Sequence, residues 1–211
     1  MTEPGADCQL CPRLAAFRTE NRQNFASWHN APVPAFGPLT ARLLVVGLAP
    51  GLRGANATGR PFTGDWAGDL LYGTLLAKNL AQGAYAEHAK DGLILPDVRI
   101  TNAVRCVPPG NRPTATEAGN CRPYLVSELA LMGNLKVVIA IGGFAHDAIL
   151  AAKKLRKAPY PFAHGQVHLL PDGLYLLDSY HCSRLNTNTG RLTEPMFHAV
   201  FDAALSILAQ L

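Results

Sequence analysis

Four of the five cysteines form two pairs whose spacing could hold a metal centre. Two residues separate Cys8 from Cys11 near the N-terminus, whereas fourteen separate Cys106 from Cys121. Four thiolates bind either Zn²⁺ or an iron–sulfur cluster. Zinc sites generally use two close pairs, so the wide second pair favours iron–sulfur. The alternative, small core cysteines, fits Cys8 and Cys11 poorly because their segment is polar. Cys182 lies in a different loop and is not an expected ligand.

Two further segments combine glycines with polar side chains. Residues 47–65 contain GLAPG and TGRPFTGD, but their glycines do not have the G-x-G-x-x-G spacing of a dinucleotide-binding loop. Residues 179–193 read SYHCSRLNTNTGRLT; they contain a His and a Ser but no G-x-S-x-G motif, which argues against a hydrolase triad. A histidine and polar residues around the apolar Leu185 favour a loop that probes DNA.

The elements that must position these segments alternate along the chain. Continuous apolar runs predict four buried strands, at residues 42–48, 98–104, 136–141 and 174–178. Helical spacing is found at residues 14–24, 66–80, 116–132, 144–155 and 194–211. This alternation predicts an α/β fold with a mainly parallel sheet covered on both faces. Functional residues should therefore gather at the C-terminal ends of the strands, where both polar segments begin.

Composition limits the class of protein. The chain has 211 residues, of which 48% are hydrophobic and 16% charged, so we expect one globular domain over residues 1–211, with 1–40 as an N-terminal arm. The net charge of +4 permits a polyanionic partner without requiring one. No apolar run could span a membrane, and the N-terminus does not resemble a signal peptide. We therefore expect a cytoplasmic protein in which the cysteines bind metal instead of forming disulfides.

Five segments, in order, resemble the family 5 (B-type) uracil-DNA glycosylases. They are the cysteine pairs, GLAPG, GRPFTGD, ITNAVRCVPPGNR and HCSRLNTNTGRLT. The resemblance extends from Cys8 to Met196. It implies a three-layer α/β/α sandwich with a central four-stranded, mainly parallel sheet. It also implies a [4Fe–4S] cluster that anchors the arm, with Cys8, Cys11, Cys106 and Cys121 as ligands.

The resemblance further implies which residues hold the base. A glycosylase extracts the target nucleotide and reads its base by stacking and hydrogen bonds. Phe62 matches the stacking aromatic and Asn102 the base-reading amide, which offers both a donor and an acceptor. Gly47 matches a further position near the base, and Asn186 matches a polar position that contacts the base or the backbone. The alternatives are a core role for Phe62 and a turn-capping role for Asn102.

The bond cleavage needs a donor to the departing base and a carboxylate or oriented water near the sugar. By resemblance, His181 is the donor and Asp65 the acid, since Leu48 stands where other uracil glycosylases place a polar residue. The alternatives are a structural role for His181 and a helix N-cap at Asp65, and this cap is compatible with catalysis.

The loop after the last predicted strand departs from the His-Pro-Ser-Pro pattern that is frequent in the wider superfamily. Cys182 and Arg184 stand in place of the two prolines, and Arg184 could contact a phosphate. Leu185 matches the wedge that fills the space of the extracted base. Arg60, Arg112 and Arg191 are further candidate phosphate contacts.

The sequence thus predicts a monomeric enzyme that removes uracil from DNA, and by resemblance also hypoxanthine or xanthine. Two alternatives stay open. The first is a catalytically weak or inactive protein that binds lesion DNA on the same scaffold. The second is an unrelated metal-bearing nucleotide enzyme. In the glycosylase interpretation and in the lesion-binding alternative, the partner is DNA that contains deaminated bases.

Overall fold

The computed structural model describes residues 3–211. The first two residues of the predicted arm lie outside this range. The centre of the fold is one sheet with the strand order β2-β1-β3-β5-β4. Its strands are β1 (Leu43–Gly47), β2 (Val98–Asn102), β3 (Val137–Ile141), β4 (Val167–Leu169) and β5 (Tyr175–Ser179). The four strands predicted from apolar runs are present and parallel, which confirms the α/β fold class.

The sheet nevertheless has five strands, and the expected number of four is wrong. The additional strand, β4, pairs antiparallel with β5 at one edge of the sheet. It has only three residues, of which Val167 and Leu169 are exposed and His168 is buried. So short and alternating a segment gives no continuous apolar run, and the sequence pattern therefore did not reveal it.

Helices cover both faces of the sheet. They are α1 (Pro12–Asn24), α2 (Ala55–Thr58), α3 (Trp66–Ala77), α4 (Ala115–Leu131), α5 (Gly143–Ala152), α6 (Arg184–Asn188) and α7 (Glu194–Leu208). The predicted helices are all present, with ends that shift by up to three residues. The two short helices, α2 and α6, lie in segments that were expected to be loops.

Strand β1 shows how the sheet separates two cores. Leu43 and Val45 face the core that contains α3 and α7. Leu44 and Val46 face the opposite core, which contains α4 and α5. Because successive side chains of a strand point to opposite faces, a strand buried on both sides is apolar throughout.

The N-terminal arm packs beside β2, the strand at one edge of the sheet. On α1, Leu14 is buried against Val104 and Cys121. Farther along the arm, Phe36 and Ile100 of β2 exchange two backbone hydrogen bonds of 2.9 and 2.7 Å. No helix within residues 3–211 is long and apolar enough to cross a membrane.

Candidate active site

A cleft of about 540 Å³ opens at the C-terminal end of the parallel strands. It is lined by Leu48, Ala49, Pro50, Gly51, Ala55, Phe62, Asp65, Trp66, Ala67, Asn102, Gly110, Asn111, Arg112, His181, Ser183, Arg184 and Leu185. The structure therefore brings together segments that are more than 130 positions apart in the chain, as expected for strand ends of a parallel sheet.

Phe62 and Asn102 meet at the floor of the cleft. Phe62 is 7% exposed and has a left-handed backbone with φ +52°, an unusual conformation for a bulky residue. Asn102 is the last residue of β2, directly beside Gly47 at the end of β1. A Cβ atom on Gly47 would lie 2.4 Å from both the Asn102 Oδ1 atom and the Phe62 ring. Only glycine at this position lets the amide and the ring approach each other so closely.

The position of Asp65 is compatible with both roles that the sequence left open. It is the N-cap of α3, where its Oδ1 accepts a 3.1 Å hydrogen bond from the Gly68 backbone N–H. Its Oδ2 points to Gly51 and Gly54, whose missing side chains leave room for it. Burial raises the pKa of Asp65, and the backbone N–H groups of Gly68 and Ala67 oppose that rise. One oxygen thus caps the helix while the same carboxylate lines the cleft.

His181 lies two residues beyond the end of β5. Its ring centroid is 6.4 Å from that of Phe62, and the two planes are 29° apart. Burial lowers the pKa of His181, which favours the neutral imidazole near pH 7. The Nδ1 atom is buried and has no hydrogen-bond partner among residues 3–211. Nε2 is not among the buried atoms without a partner in residues 3–211, so we assign the proton of the neutral ring to Nε2, where a donor can be satisfied.

Comparison with known proteins gives the family of this chain. The family model of the uracil DNA glycosylase superfamily matches residues 34–205. A type-5 uracil-DNA glycosylase of Thermus thermophilus is 46% identical over 202 residues, covering 93% of this chain and 92% of that protein. The type-5 uracil-DNA glycosylase of Mycobacterium tuberculosis is 42% identical over 205 residues, covering 93% and 76%. A type-4 uracil-DNA glycosylase of Archaeoglobus fulgidus is 40% identical over 119 residues, covering 56% and 51%.

The chain belongs to the uracil DNA glycosylase superfamily, in its type-5 branch. In this family member the rim of the cleft is formed by α6. Leu185 is 72% exposed at the rim, as the wedge prediction requires. Asn186, predicted to contact the base, is not among the residues that line the cleft. Its amide instead donates a 2.8 Å hydrogen bond to the His181 carbonyl and so holds the histidine's backbone.

The four arginines predicted to contact phosphate have different environments. Arg112 and Arg184 line the cleft, and Arg191 is exposed with its guanidinium 4.6 Å from the Tyr180 ring. The prediction for Arg60 is wrong, because its side chain is 4% exposed and makes two 2.7 Å contacts with the Asp91 carboxylate. The sequence alone does not distinguish a buried arginine in a polar loop from an exposed one.

The two cysteine pairs converge, although they lie far apart in the chain. Cys8, Cys11, Cys106 and Cys121 line one small cavity between the arm and the start of α4. Cys182 is fully buried elsewhere, with its thiol 3.5 Å from the Ala67 carbonyl. Burial raises the pKa of Cys106 to about 12 and that of Cys121 to about 11, so these thiols need a nearby positive charge to ionise.

Arg18 lines the same cavity and was not singled out from the sequence. It is 3% exposed, and its Nη1 lies 3.8 Å from the Cys106 Sγ while its Nη2 donates to the Cys8 carbonyl. Its Nε has no partner, and no carboxylate of residues 3–211 forms an ion pair with it. A buried guanidinium without a carboxylate fits a cavity that holds an anionic thiolate centre.

A buried ion pair joins α5 to β5, the strand that precedes His181, and no sequence motif indicated it. The Nε2 of His146 contacts the Tyr160 carbonyl at 2.9 Å, and its Nδ1 contacts the Asp178 carboxylate at 2.7 Å. Both partners are acceptors, so we assign both ring nitrogens a proton. Although burial acts to lower it, Asp178 raises the pKa of His146. The pair fixes α5 to β5.

Proposed function

We propose that the protein hydrolyses the N-glycosidic bond of uracil in DNA and leaves an abasic site. The observation that carries this proposal is the convergence of Phe62, Asp65, Asn102 and His181 on one cleft. A flat apolar ring and an amide can hold the base, and a neutral imidazole and a carboxylate can stabilise the charges that develop in this reaction. Phe62 and Asp65 are distant in the sequence from Asn102 and His181, and the fold brings all four together.

The base is recognised at the floor of the cleft. The Phe62 ring offers a stacking surface, and the Asn102 amide can both donate to and accept from the edge of a uracil. Stacking does not depend on a particular base, and the cleft is larger than a pyrimidine needs. The proposal therefore includes hypoxanthine and xanthine as substrates.

The chemical step divides its charges between two side chains. As the bond breaks, negative charge develops on the base and positive charge on the sugar. The Nε2–H of His181 donates to the base oxygen and stabilises the first charge. The Asp65 carboxylate stabilises the second and orients the attacking water. The water oxygen bonds to the anomeric carbon as the glycosidic bond breaks, and the departing base takes up the proton that the water releases.

The direct test measures uracil excision from oligonucleotides in single-turnover conditions. Uracil is placed opposite each normal base and in a single strand, and parallel substrates carry hypoxanthine or xanthine. We expect excision and an abasic product with uracil. Tight binding to these oligonucleotides without any excision would contradict the proposal and favour the lesion-binding alternative.

We propose in addition that the four-cysteine cavity holds a [4Fe–4S] cluster. Among residues 3–211, no three cysteine sulfurs lie within 4.8 Å of one another. Tetrahedral zinc with bonds of about 2.3 Å needs sulfurs about 3.8 Å apart, so the wider spacing of these sulfurs favours a larger cluster. The uncompensated charge of Arg18 supports the same assignment. When bound, the cluster would supply a cross-link between the arm and the segment that leads from β2 to α4.

The cluster proposal predicts colour and metal content. Protein purified anaerobically should be brown, with broad visible absorbance and about four irons per chain. Cys121→Ala should lose iron and lower the unfolding temperature, whereas Cys182→Ala, the matched control, should keep the iron. Colourless protein with one zinc per chain from iron-replete cells would contradict the assignment.

Arg18 gives a second test of the same cavity. Because Arg18→Met removes the buried positive charge beside Cys106, we expect the visible absorbance to bleach faster under a chelator than in the wild type. Arg18→Lys keeps the charge and should bleach at an intermediate rate. Equal rates in all three proteins would mean that Arg18 does not stabilise the centre.

DNA binding by the rim predicts a measurable salt dependence. Each phosphate contact releases counterions, so replacing one contacting arginine lowers the slope of log K against log salt by about one. We expect this change for Arg184→Gln. Arg42→Gln is the matched control, because Arg42 pairs with Asp97 beside the N-terminal end of β1, at the end of the sheet opposite the cleft. Equal slopes for both variants would mean that Arg184 does not contact a DNA phosphate.

A further inference from the structure

The helix that carries Leu185 has little to hold it in place. Helix α6 has five residues, and none of them is buried. Isolated helices of this length are not stable in water, and most helical stability in proteins comes from the packing of a buried face. Since α6 has no such face, its position must depend on a few polar contacts.

Two of these contacts come from the adjoining loop. The Ser183 hydroxyl accepts a long 3.5 Å hydrogen bond from the Asn186 backbone N–H at the start of the helix. The Asn186 amide donates to the His181 carbonyl at 2.8 Å. Both contacts are local in sequence, so they shape the loop without attaching α6 to another helix.

Trp66 provides the attachment to another helix. Its indole Nε1 donates a 2.7 Å hydrogen bond to the Thr187 hydroxyl, 121 positions along the chain. The Thr187 hydroxyl lies 3.1 Å from the Arg184 carbonyl, to which it can donate. The Arg184 guanidinium lies 5.6 Å from the Trp66 ring centroid, within the range of a cation–π contact. One indole therefore contacts α6 at two of its five residues.

The position of Trp66 in the chain gives this attachment a consequence for the reaction. Trp66 is the first residue of α3 and follows Asp65, whose carboxylate caps that helix. Trp66 is 47% exposed and lines the cleft. Exposure of a large apolar ring to water is unfavourable, so a role of the ring in the cleft would explain why it is exposed. The indole thus links the predicted acid to the predicted wedge.

We propose that Trp66 is a positioning residue, which holds α6 so that Leu185 is ordered before it enters the base stack. This inference rests on the proposed glycosylase activity. Without the indole, α6 must be ordered at the moment of insertion, and that cost adds to the cost of unstacking. The effect should be largest for a well-paired uracil and absent where no stack must be opened.

The test compares variants that remove the same hydrogen bond from its two ends. Trp66→Phe keeps an aromatic ring but has no N–H, and Thr187→Val has no hydroxyl, whereas Thr187→Ser keeps the acceptor. Single-turnover excision is measured with uracil paired to adenine, mispaired with guanine, and in a single strand. Trp28→Phe is the matched control, because Trp28 stacks on Phe25 in the arm, away from the cleft.

For Trp66→Phe and for Thr187→Val we expect excision of uracil paired with adenine to slow by roughly two- to tenfold, the range of one ordinary hydrogen bond. The slowing should be smaller opposite guanine and negligible in a single strand. The double variant should be no slower than either single one, because both remove the same bond. Thr187→Ser and Trp28→Phe should match the wild type.

Two results would overturn the inference. Equal slowing on all three substrates would mean that Trp66 only supports the fold. A slow Trp66→Phe together with an unaffected Thr187→Val would mean that the indole contacts DNA directly. Failure of the wild type to excise uracil from any substrate would instead contradict the proposed function.

Discussion

Asp65→Ala should lower the single-turnover rate of uracil excision by about 10²- to 10⁴-fold, the usual contribution of a positioned acid–base group. Binding to uracil-containing DNA should change little, because the carboxylate acts on charge that develops only as the bond breaks. The same substitution removes the N-cap of α3 and should cost about 1 kcal/mol of folding stability. The measurements are a single-turnover assay, a binding titration and an unfolding curve.

Asp65→Asn separates catalysis from capping. Asparagine caps a helix about as well as aspartate, so its stability should stay near that of the wild type, while the loss of charge should still slow excision. Asp69→Asn is the matched control, since Asp69 is exposed one turn along α3 and does not line the cleft. A near-normal rate for Asp65→Asn would leave Asp65 as a cap only.

The pKa of Asp65 also predicts how excision depends on pH. The proposed role needs the ionised carboxylate, and burial raises the pKa of this group in the folded protein. The rate should therefore fall as the pH decreases through that raised pKa, at a higher pH than for an exposed aspartate. This acidic limb should disappear in Asp65→Asn, whose residual rate has no carboxylate to protonate.

His181→Ala should lower the excision rate by about 10²- to 10³-fold, the effect of removing one donor from a developing anion. His181→Gln should recover part of the rate, because its amide can donate from a similar position. His198→Ala, a change at a partly buried residue of α7 that does not line the cleft, should leave the rate unchanged. If His181→Ala retains the wild-type rate, the base oxygen is stabilised by another group.

The pH profile distinguishes a neutral donor from a charged one. Burial lowers the pKa of His181, which favours the neutral ring near pH 7, and we assign the acidic limb to Asp65. His181→Gln should then be slower at every pH but keep the acidic limb of the wild type. Loss of that limb in His181→Gln would assign it to the histidine and contradict the proposed division of roles.

Several features of the cleft could be predicted from the sequence because they depend on local patterns. Buried parallel strands are apolar throughout, and each such run ends where its functional loop begins. Phe62, Asp65, Asn102 and His181 were therefore found by combining strand ends with motif resemblance. The cysteine pairs were found in the same way, from residue type and spacing.

Other features depend on contacts that no local pattern encodes. Arg60 and Arg184 both lie in polar loops, but only the fold places Asp91 beside the first and leaves the second exposed at the cleft. Asn186 lies in the histidine loop as expected, yet the turn of α6 directs its amide to the His181 backbone. Strand β4 was missed because three residues are too few for a periodic signal.

The sequence by itself determined the α/β class, the strand ends that line the cleft, and the identity of the side chains placed there, because strand burial and residue chemistry are local properties. Only the tertiary structure decided which long-range partners those side chains have. The Asp65 carboxylate fits against Gly51 and Gly54, Gly47 leaves space for Phe62 and Asn102, and Trp66 reaches Thr187. Such contacts join residues that are distant in the chain, and their geometry follows from the packing of whole elements.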